Sequence, residues 1–372
     1  MNFQNFELEH YQSEHERRVD FNLADSSVKC TGVSDWLDAS EIRQLLDTGL
    51  FYPEVNGTAA LRGRIAGLYP GADAAHVLVT VGAAQATGMV CSTLLEAGDE
   101  VVVISPGYRQ VWGIAKNSGC VVRELQTHAQ DDWRPNLDEL ERLVCSKTKL
   151  VSVVNPNNPT GTVLNCAEMD RIVAICAHVG CWLHVDEVYA GTELHGEPAG
   201  TFWGCGHDKL ICTNSTSKAY GLSGLRIGWI VASPQMIDAF WRRHEYAVIS
   251  ASSPSMTLAE IALKPRKRDW LLARQRRLSA EGRRVLEDWL PQQDGRFSWR
   301  PSAATPVAFV RYHFDMPSLA LAERIRQQAS VLVAPGSYLG AEGCLRVTVG
   351  YDADKIARAL ARISEVTRGI TR

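Results

Sequence analysis

The stretch LICTNSTSKAYGLSGLRIGWIVAS, residues 210–233, decides how this chain folds. It starts as an apolar run, breaks into hydroxyls and a lysine, loops through glycines and returns to the apolar IGWIVAS. Upstream, KLVSVVNPNNPTG (149–161) and WLHVDEVYAG (182–191) have the same build, a Val/Leu run that stops abruptly at polar residues. HVLVTVG (76–82) leads into a helical AAQATGMVCSTLLEA, and VVVISP (101–106) into GYRQVWGIAKNSG. Apolar runs of this kind, each followed by a crossover, describe parallel strands buried on both faces. Residues 46–250 are therefore expected to form a large α/β domain, a mostly parallel central sheet with helices on both faces.

The last third, 251–372, reads differently. An Arg-rich helical stretch, RDWLLARQRRLSAEGRRVLEDWL, gives way to strand-like FSWRPSAATPVAFVRY, then a helix, SVLVAPG and CLRVTVGY. This is the pattern of a smaller α+β domain, which residues 1–45 are expected to join while serving as a lid. The arginine run reads as a solvated helix face.

Bulk properties remove several classes of function. A chain of 372 residues suits two domains, and 45% hydrophobic with 22% charged residues is ordinary for a globular protein. The net charge of −3, without a basic stripe, argues against a nucleic-acid partner. No apolar run is long enough to span a membrane, and the polar start MNFQNFELEHYQSEHERR has no signal-peptide core, so a cytoplasmic enzyme is expected. None of the ten cysteines forms a C-x-x-C pair, and Cys91 and Cys176 sit in apolar runs, as packing residues do. Cys205, His207 and Cys212 lack a fourth ligand, so no metal is expected.

The polar ends of the apolar runs carry a chemistry. Lys218 projects at the carboxyl end of a strand, where ligands bind in open α/β sheets. Alone, it reads equally as a surface lysine in a glycine-rich loop. Asp186 ends another apolar strand and would be desolvated unless it faced a cation. Tyr189 follows three residues later, and Asn158 sits in a proline-rich turn suited to an amide donor or to a simple turn residue. Pyridoxal 5′-phosphate needs this set: a lysine for a Schiff base, an anion for the pyridine nitrogen and donors for the phenolic oxygen. Ser215, Ser217 and the fork of Arg226 suit its phosphate, as do amides at Gly82, Ala83 and Ala84 where a strand turns into a helix. Tyr108 is placed to stack on the ring, or else is a core aromatic.

With NPNNPTG, DEVY, STSKAYGLSGLRIGW and CLRVTVGY in this order, the chain resembles the class I/II aminotransferases, the aspartate aminotransferase-like superfamily of fold type I, over roughly residues 46–355. The resemblance implies that Lys218 is the Schiff-base lysine and proton shuttle, that Asp186 holds the pyridine nitrogen, and that Asn158 and Tyr189 hold the phenolic oxygen. It implies Ser215, Arg226 and the amides of Ala83 and Ala84 for the phosphate, Tyr108 for the ring face, and Arg346 for the substrate α-carboxylate. LFYPEVNGTAALR (50–62) matches a family segment in which a tyrosine, here Tyr52, reaches a neighbouring subunit's phosphate, so a homodimer with shared active sites is expected. Pro53 stands where that segment has its first glycine, and SWRPSAATPVAF lacks a glycine pair common after the proline.

Three functions follow from such a chain. The preferred one is an aminotransferase acting at the α-carbon of an L-amino acid, a small-molecule substrate. The second is a dehydratase and cyclase, because FELEHYQSEHERRVDFNLADSSVKCTGVSDWL resembles enzymes that make capreomycidine or enduracididine from hydroxylated arginine. A guanidinium calls for carboxylates and hydroxyls, which Glu7, Glu9, Asp25, Ser26 and Ser27 offer unless the glutamates merely decorate a solvated helix. The third, a catalytically silent ligand-binding relative, is disfavoured by the presence of Lys218, Asp186 and Asn158 together.

Overall fold

The computed structural model describes residues 3–194 and 199–370. Its strands are numbered along the chain. Seven of them make one sheet in the order β2 (Val77–Thr80), β8 (Gly228–Val231), β7 (Leu210–Ser215), β6 (Trp182–Asp186), β5 (Thr148–Val154), β3 (Glu100–Ser105) and β4 (Val121–Gln126). Strands β4, β3, β5, β6 and β7 run parallel. Alternate residues face opposite cores: Val151, Val153, Leu183, Val185 and Cys212 join one cluster, while Leu150, Ile211, Val101, Val103 and Ile230 join the other. Burying each such side chain contributes about 1.5–3 kcal/mol, so burial on both faces fixes these strands at the centre.

Two features depart from the sequence expectation. IGWIVAS belongs to β8, which runs antiparallel to both β7 and β2. The connection 216–227 carries only a short 3₁₀ turn, and without a crossover helix the chain returns antiparallel. Strand β4 was not legible as a strand; it is an edge element with mixed exposure, VVRELQ, held to β3 in part by an Arg123–Glu100 ion pair at 2.7 Å.

The second sheet is antiparallel throughout, in the order β12 (Ala334–Pro335), β13 (Cys344–Thr348), β10 (Val307–Tyr312) and β9 (Phe297–Trp299). Its core includes Phe297, Val310, Leu345 and Val347, covered by residues of the helices Ser318–Ala329 and Ala353–Thr367. The N-terminal segment belongs to this side. β1 (Phe21–Asn22) pairs in parallel with β11 (Val331–Leu332), and Thr348 N–H donates to the Leu23 carbonyl at 2.7 Å.

The 25-residue helix Pro265–Trp289 leads into the second sheet. Its arginines are not all on a solvated face, as the sequence suggested. Arg283 points inward with Leu278, Ser279 and Leu286, and donates to Ser302 and to the carbonyls of Ala304 and Thr305. Burial pushes its pKa down to about 10, although Glu287 works the other way. All ten cysteines are free, with Cys91 and Cys176 buried, and no described helix is long and apolar enough to cross a membrane.

Candidate active site

The strand ends of the large sheet converge on one cavity of about 200 Å³. Asp186 is the last residue of β6, Asn158 follows β5, Tyr108 follows β3, and Ser215, Ser217 and Lys218 end and follow β7. Ala83 and Ala84 reach the cavity from the first turn of the helix Gly82–Leu94, whose leading N–H groups have no intrahelical partner. Gly82 has φ +77°, and a Cβ there would overlap the Arg226 guanidinium, so the fork of Arg226 closes directly over this helix start. Arg226 is held in place by a 2.9 Å bond from Nη1 to the Ser223 carbonyl. A Cβ on Gly228 would likewise overlap Gly82 and Ala83, which lets β8 press against the same turn.

Asp186 accepts one N–H, from Val188 at 3.1 Å. Burial pushes its pKa up to about 6, against the pull of that N–H and of the Lys218 charge. A carboxylate this deep asks for a cation. Asn158 uses its Oδ1 to accept from Arg346 Nη1 at 3.0 Å, which turns its amide nitrogen away from Arg346. Arg346 is 1% exposed; its Nη2 donates to the Ala24 carbonyl at 2.6 Å, and its Nε has no partner among the described residues. Among the described residues this buried guanidinium is met only by neutral oxygens, and it suits an incoming carboxylate.

The opposite wall is the N-terminal segment. Glu9 and Ser26 line the cavity. The Tyr108 hydroxyl donates to Glu9 at 2.9 Å, and its ring lies 5.0 Å from that of Phe6. Burial and the neighbouring Glu9 charge push the Tyr108 phenol well up. Lys218 Nζ donates to Ser26 Oγ at 2.8 Å and to Ser27 Oγ at 3.3 Å, while the Tyr189 hydroxyl donates to the Ser26 carbonyl at 3.1 Å. Asp25 does not join the lining; it accepts from the Tyr351 hydroxyl at 2.7 Å and from Ser27 N–H at 2.9 Å. Burial works against its charge, but Lys218 and these donors hold its carboxyl below the usual range.

The cavity thus brings together Lys218, Asp186, Asn158, Tyr189, Tyr108, Ala83, Ala84, Ser215, Ser217, Arg226, Glu9 and Ser26. Gly82 and Arg346 stand directly behind it, Asp25 lies behind Ser26, and Tyr52 is elsewhere, 80% exposed. Sequence reasoning missed Gln110, Val154, Val188 and Ser223 in the lining, and the bond from Lys218 to Ser27. Gln110, two residues past Tyr108, and Ser223, three before Arg226, were within reach of the motifs already quoted. These residues fit pyridoxal 5′-phosphate: a carboxylate lacking a cation, a free amide donor, a lysine amine and a helix start roofed by arginine and serines.

Comparison with known proteins agrees with this fit. The family model "Aminotransferase class I and II" matches residues 23–363. The chain is 27% identical to capreomycidine synthase of Streptomyces vinaceus over 292 residues, 78% of this chain and 74% of that protein. It is 26% identical to an aspartate aminotransferase of Streptomyces avermitilis over 309 residues, 79% and 74% of the two chains. The structure of a PLP-dependent aminotransferase from Streptococcus suis superimposes with a TM-score of 0.92 and 27% identity, covering 100% of both chains.

Proposed function

The chain belongs to the aminotransferase class I and II family, and from that premise we propose that Lys218 is the residue that carries its cofactor and moves the substrate's α-proton. It is an enzyme that uses pyridoxal 5′-phosphate. When bound, that group supplies an electron sink for negative charge at the α-carbon of an amino acid. In our reading Asp186 holds the pyridine nitrogen, and the positive charge it meets there relieves the cost of its burial. Asn158, through its free amide nitrogen, and the Tyr189 hydroxyl hold the phenolic oxygen. Ser215, Ser217, Arg226 and the amides of Ala83 and Ala84 hold the phosphate, with Gly82 leaving room for the guanidinium, and Tyr108 covers the ring. Arg346 receives the substrate α-carboxylate, and Asn158 Oδ1 fixes its fork in that orientation. The Lys218 amine takes the proton from the α-carbon and, in transamination, would deliver it to the cofactor instead of back to the α-carbon. The observation that carries this reading is the buried, uncompensated carboxylate of Asp186 in the cavity that also receives Lys218 Nζ.

We take the reaction to be transamination. A second reading, dehydration and cyclisation of a hydroxylated arginine, draws support from Glu9, a carboxylate in the cavity wall, with Ser26 in the same lining, and from the likeness to capreomycidine synthase. Holoenzyme incubated with single amino acids, including arginine and γ-hydroxyarginine, with and without 2-oxoglutarate, separates the two by mass spectrometry. Keto acid and glutamate formed only with the acceptor support transamination. Loss of one water from hydroxyarginine without an acceptor overturns it in favour of cyclisation.

We further propose a homodimer in which Tyr52 reaches the phosphate of a second copy and 46–250 and 251–372 act as the large and small domains. Leu50, Phe51 and Tyr52 stand exposed in a row, apolar surface that a second copy would cover. A monomeric mass by light scattering would overturn the shared site.

A further inference from the structure

The Lys218 side chain reaches from the loop after β7 to the N-terminal segment. Its Nζ rests on two hydroxyls of one short strap, Ser26 Oγ at 2.8 Å and Ser27 Oγ at 3.3 Å. We infer that Ser26 and Ser27 are positioning residues that dock the released Lys218 amine and aim it for proton transfer, an inference that rests on the role of Lys218 proposed above.

The strap is built to hold those hydroxyls still. The Ser26 carbonyl accepts the Tyr189 hydroxyl at 3.1 Å, and Ser27 N–H donates to Asp25 Oδ1 at 2.9 Å. Asp25 is itself fixed by Tyr351 at 2.7 Å, and the Ala24 carbonyl by Arg346 at 2.6 Å. Lys29 N–H donates to the Gly350 carbonyl at 2.8 Å, and a Cβ on Gly221, three residues past the lysine, would press into Val28 at 2.7 Å. Residues 24–29 are therefore clamped between the lysine loop on one side and Arg346, Gly350 and Tyr351 on the other. Ser26 and Ser27 are 8% and 3% exposed, so bulk water does not compete for the amine. A hydroxyl oxygen accepts an amine hydrogen but takes no charge, so it orients Nζ while leaving the lone pair free to receive a proton.

Such docking has two consequences of opposite sign. The bonds to Ser26 and Ser27 stabilise the free amine, which carries more hydrogens than the nitrogen does once it has joined the cofactor's aldehyde carbon with loss of water. Removing them should favour capture of the cofactor. The same removal lets Nζ wander from the α-carbon and slows the transfer step. A strap that were merely structural would lose cofactor affinity and turnover together.

The test uses Ser26→Ala, Ser27→Ala and the double variant, with Ser26→Thr as the hydroxyl-retaining control. Apoenzyme is titrated with pyridoxal phosphate by visible absorbance, and loaded enzyme is assayed with α-deuterated substrate. We expect the double variant to bind pyridoxal phosphate about 3–10-fold more tightly, as the loss of one or two modest hydrogen bonds implies. Its kcat should fall on the order of 10-fold with KM little changed, and its primary isotope effect on kcat should rise as proton transfer becomes limiting. Ser26→Thr should stay near wild type. Weaker cofactor binding with an unchanged isotope effect, or turnover unaffected by the double change, would overturn the docking role. Failure of the Lys218 assignment itself is distinguishable, because it would appear as a visible cofactor band surviving in Lys218→Ala.

Discussion

Two carboxylates, the buried Asp186 and the half-buried Asp25, flank the same lysine and behave in opposite ways. Asp186, on the wall made by strand ends, accepts a single N–H, and burial pushes its pKa up to about 6. Asp25, on the wall made by the N-terminal strap, is half-buried, and the Lys218 charge, Tyr351 and Ser27 hold it below the usual range against the cost of that burial. One carboxylate is incomplete without a ligand, and the other is finished by the protein. The difference separates a wall built to receive a cofactor from a wall built to hold the protein's own groups against it.

The largest effect expected on the first wall is at the lysine. Lys218→Ala should abolish the visible absorbance of the bound cofactor and lower turnover on the order of 10⁴-fold. A retained band would break the assignment of this wall. Asp186→Asn comes next: turnover should fall on the order of 10²–10³-fold, far more than cofactor affinity, because the sink is weakened more than the grip. The apoenzyme should respond the other way. An acid whose folded pKa lies near 6, above its ordinary 3.8, destabilises the fold once both states are ionised, by about 3 kcal/mol at most for this group above pH 6. As pH falls from 6 towards 4 the folded protein takes up the proton first and that cost fades. Asp186→Asn apoenzyme should therefore melt a few degrees above wild type at pH 8, and the gap should shrink to about half by pH 5 and close below about pH 4. An unchanged melting temperature at pH 8 would mean that Asp186 is already compensated, and the contrast with Asp25 would disappear.

The same contrast accounts for what the sequence made legible. Asp186, Asn158 and Lys218 stand where apolar runs stop, so the sequence placed them at the carboxyl ends of strands, and the structure brings all three to one cavity. Each is positioned by its own strand, which is local information. Ser27 is positioned by Asp25, Tyr351 and Gly350, partners more than 300 residues away except for the first, and no local pattern marks it. Glu9 was legible as an acidic residue but its meeting with Tyr108 depends on how the helix Glu7–His15 packs beside β12. The antiparallel β8 and the edge strand β4 escaped for related reasons. An apolar run does not encode its direction, and a half-exposed edge strand does not need an apolar one.

A smaller effect on the first wall tests whether its backbone matters as much as its side chains. Gly82→Ala forces a side chain onto φ +77° and into the Arg226 guanidinium. The strain of about 1–2 kcal/mol, with Arg226 displaced, should weaken cofactor binding roughly 10-fold or more. Turnover at saturating cofactor should stay within about twofold, since no group that moves a proton is touched. Equal affinity in the variant and wild type, by equilibrium titration, would remove Arg226 and the helix start from the phosphate site.

The smallest effect belongs to the second wall. Tyr351→Phe deletes the 2.7 Å bond to Asp25 and leaves that half-buried carboxylate with Ser27 N–H and the Lys218 charge. A hydrogen bond to a charged group contributes about 1.5–3 kcal/mol, so the variant should lose that much stability at neutral pH. The sign with pH is opposite to that for Asp186. Because Asp25 is held below its ordinary 3.8, its contribution is present above pH 4 and fades as acid protonates the folded carboxylate, so the deficit of Tyr351→Phe should shrink below pH 4. Turnover should fall only about threefold, as Ser27 loosens while Ser26 stays tied to Tyr189, and cofactor affinity should not weaken. If Tyr351→Phe instead weakened the cofactor as much as Gly82→Ala does, the two walls would be one mechanical unit, and the contrast between the carboxylates would describe their surroundings without dividing their work.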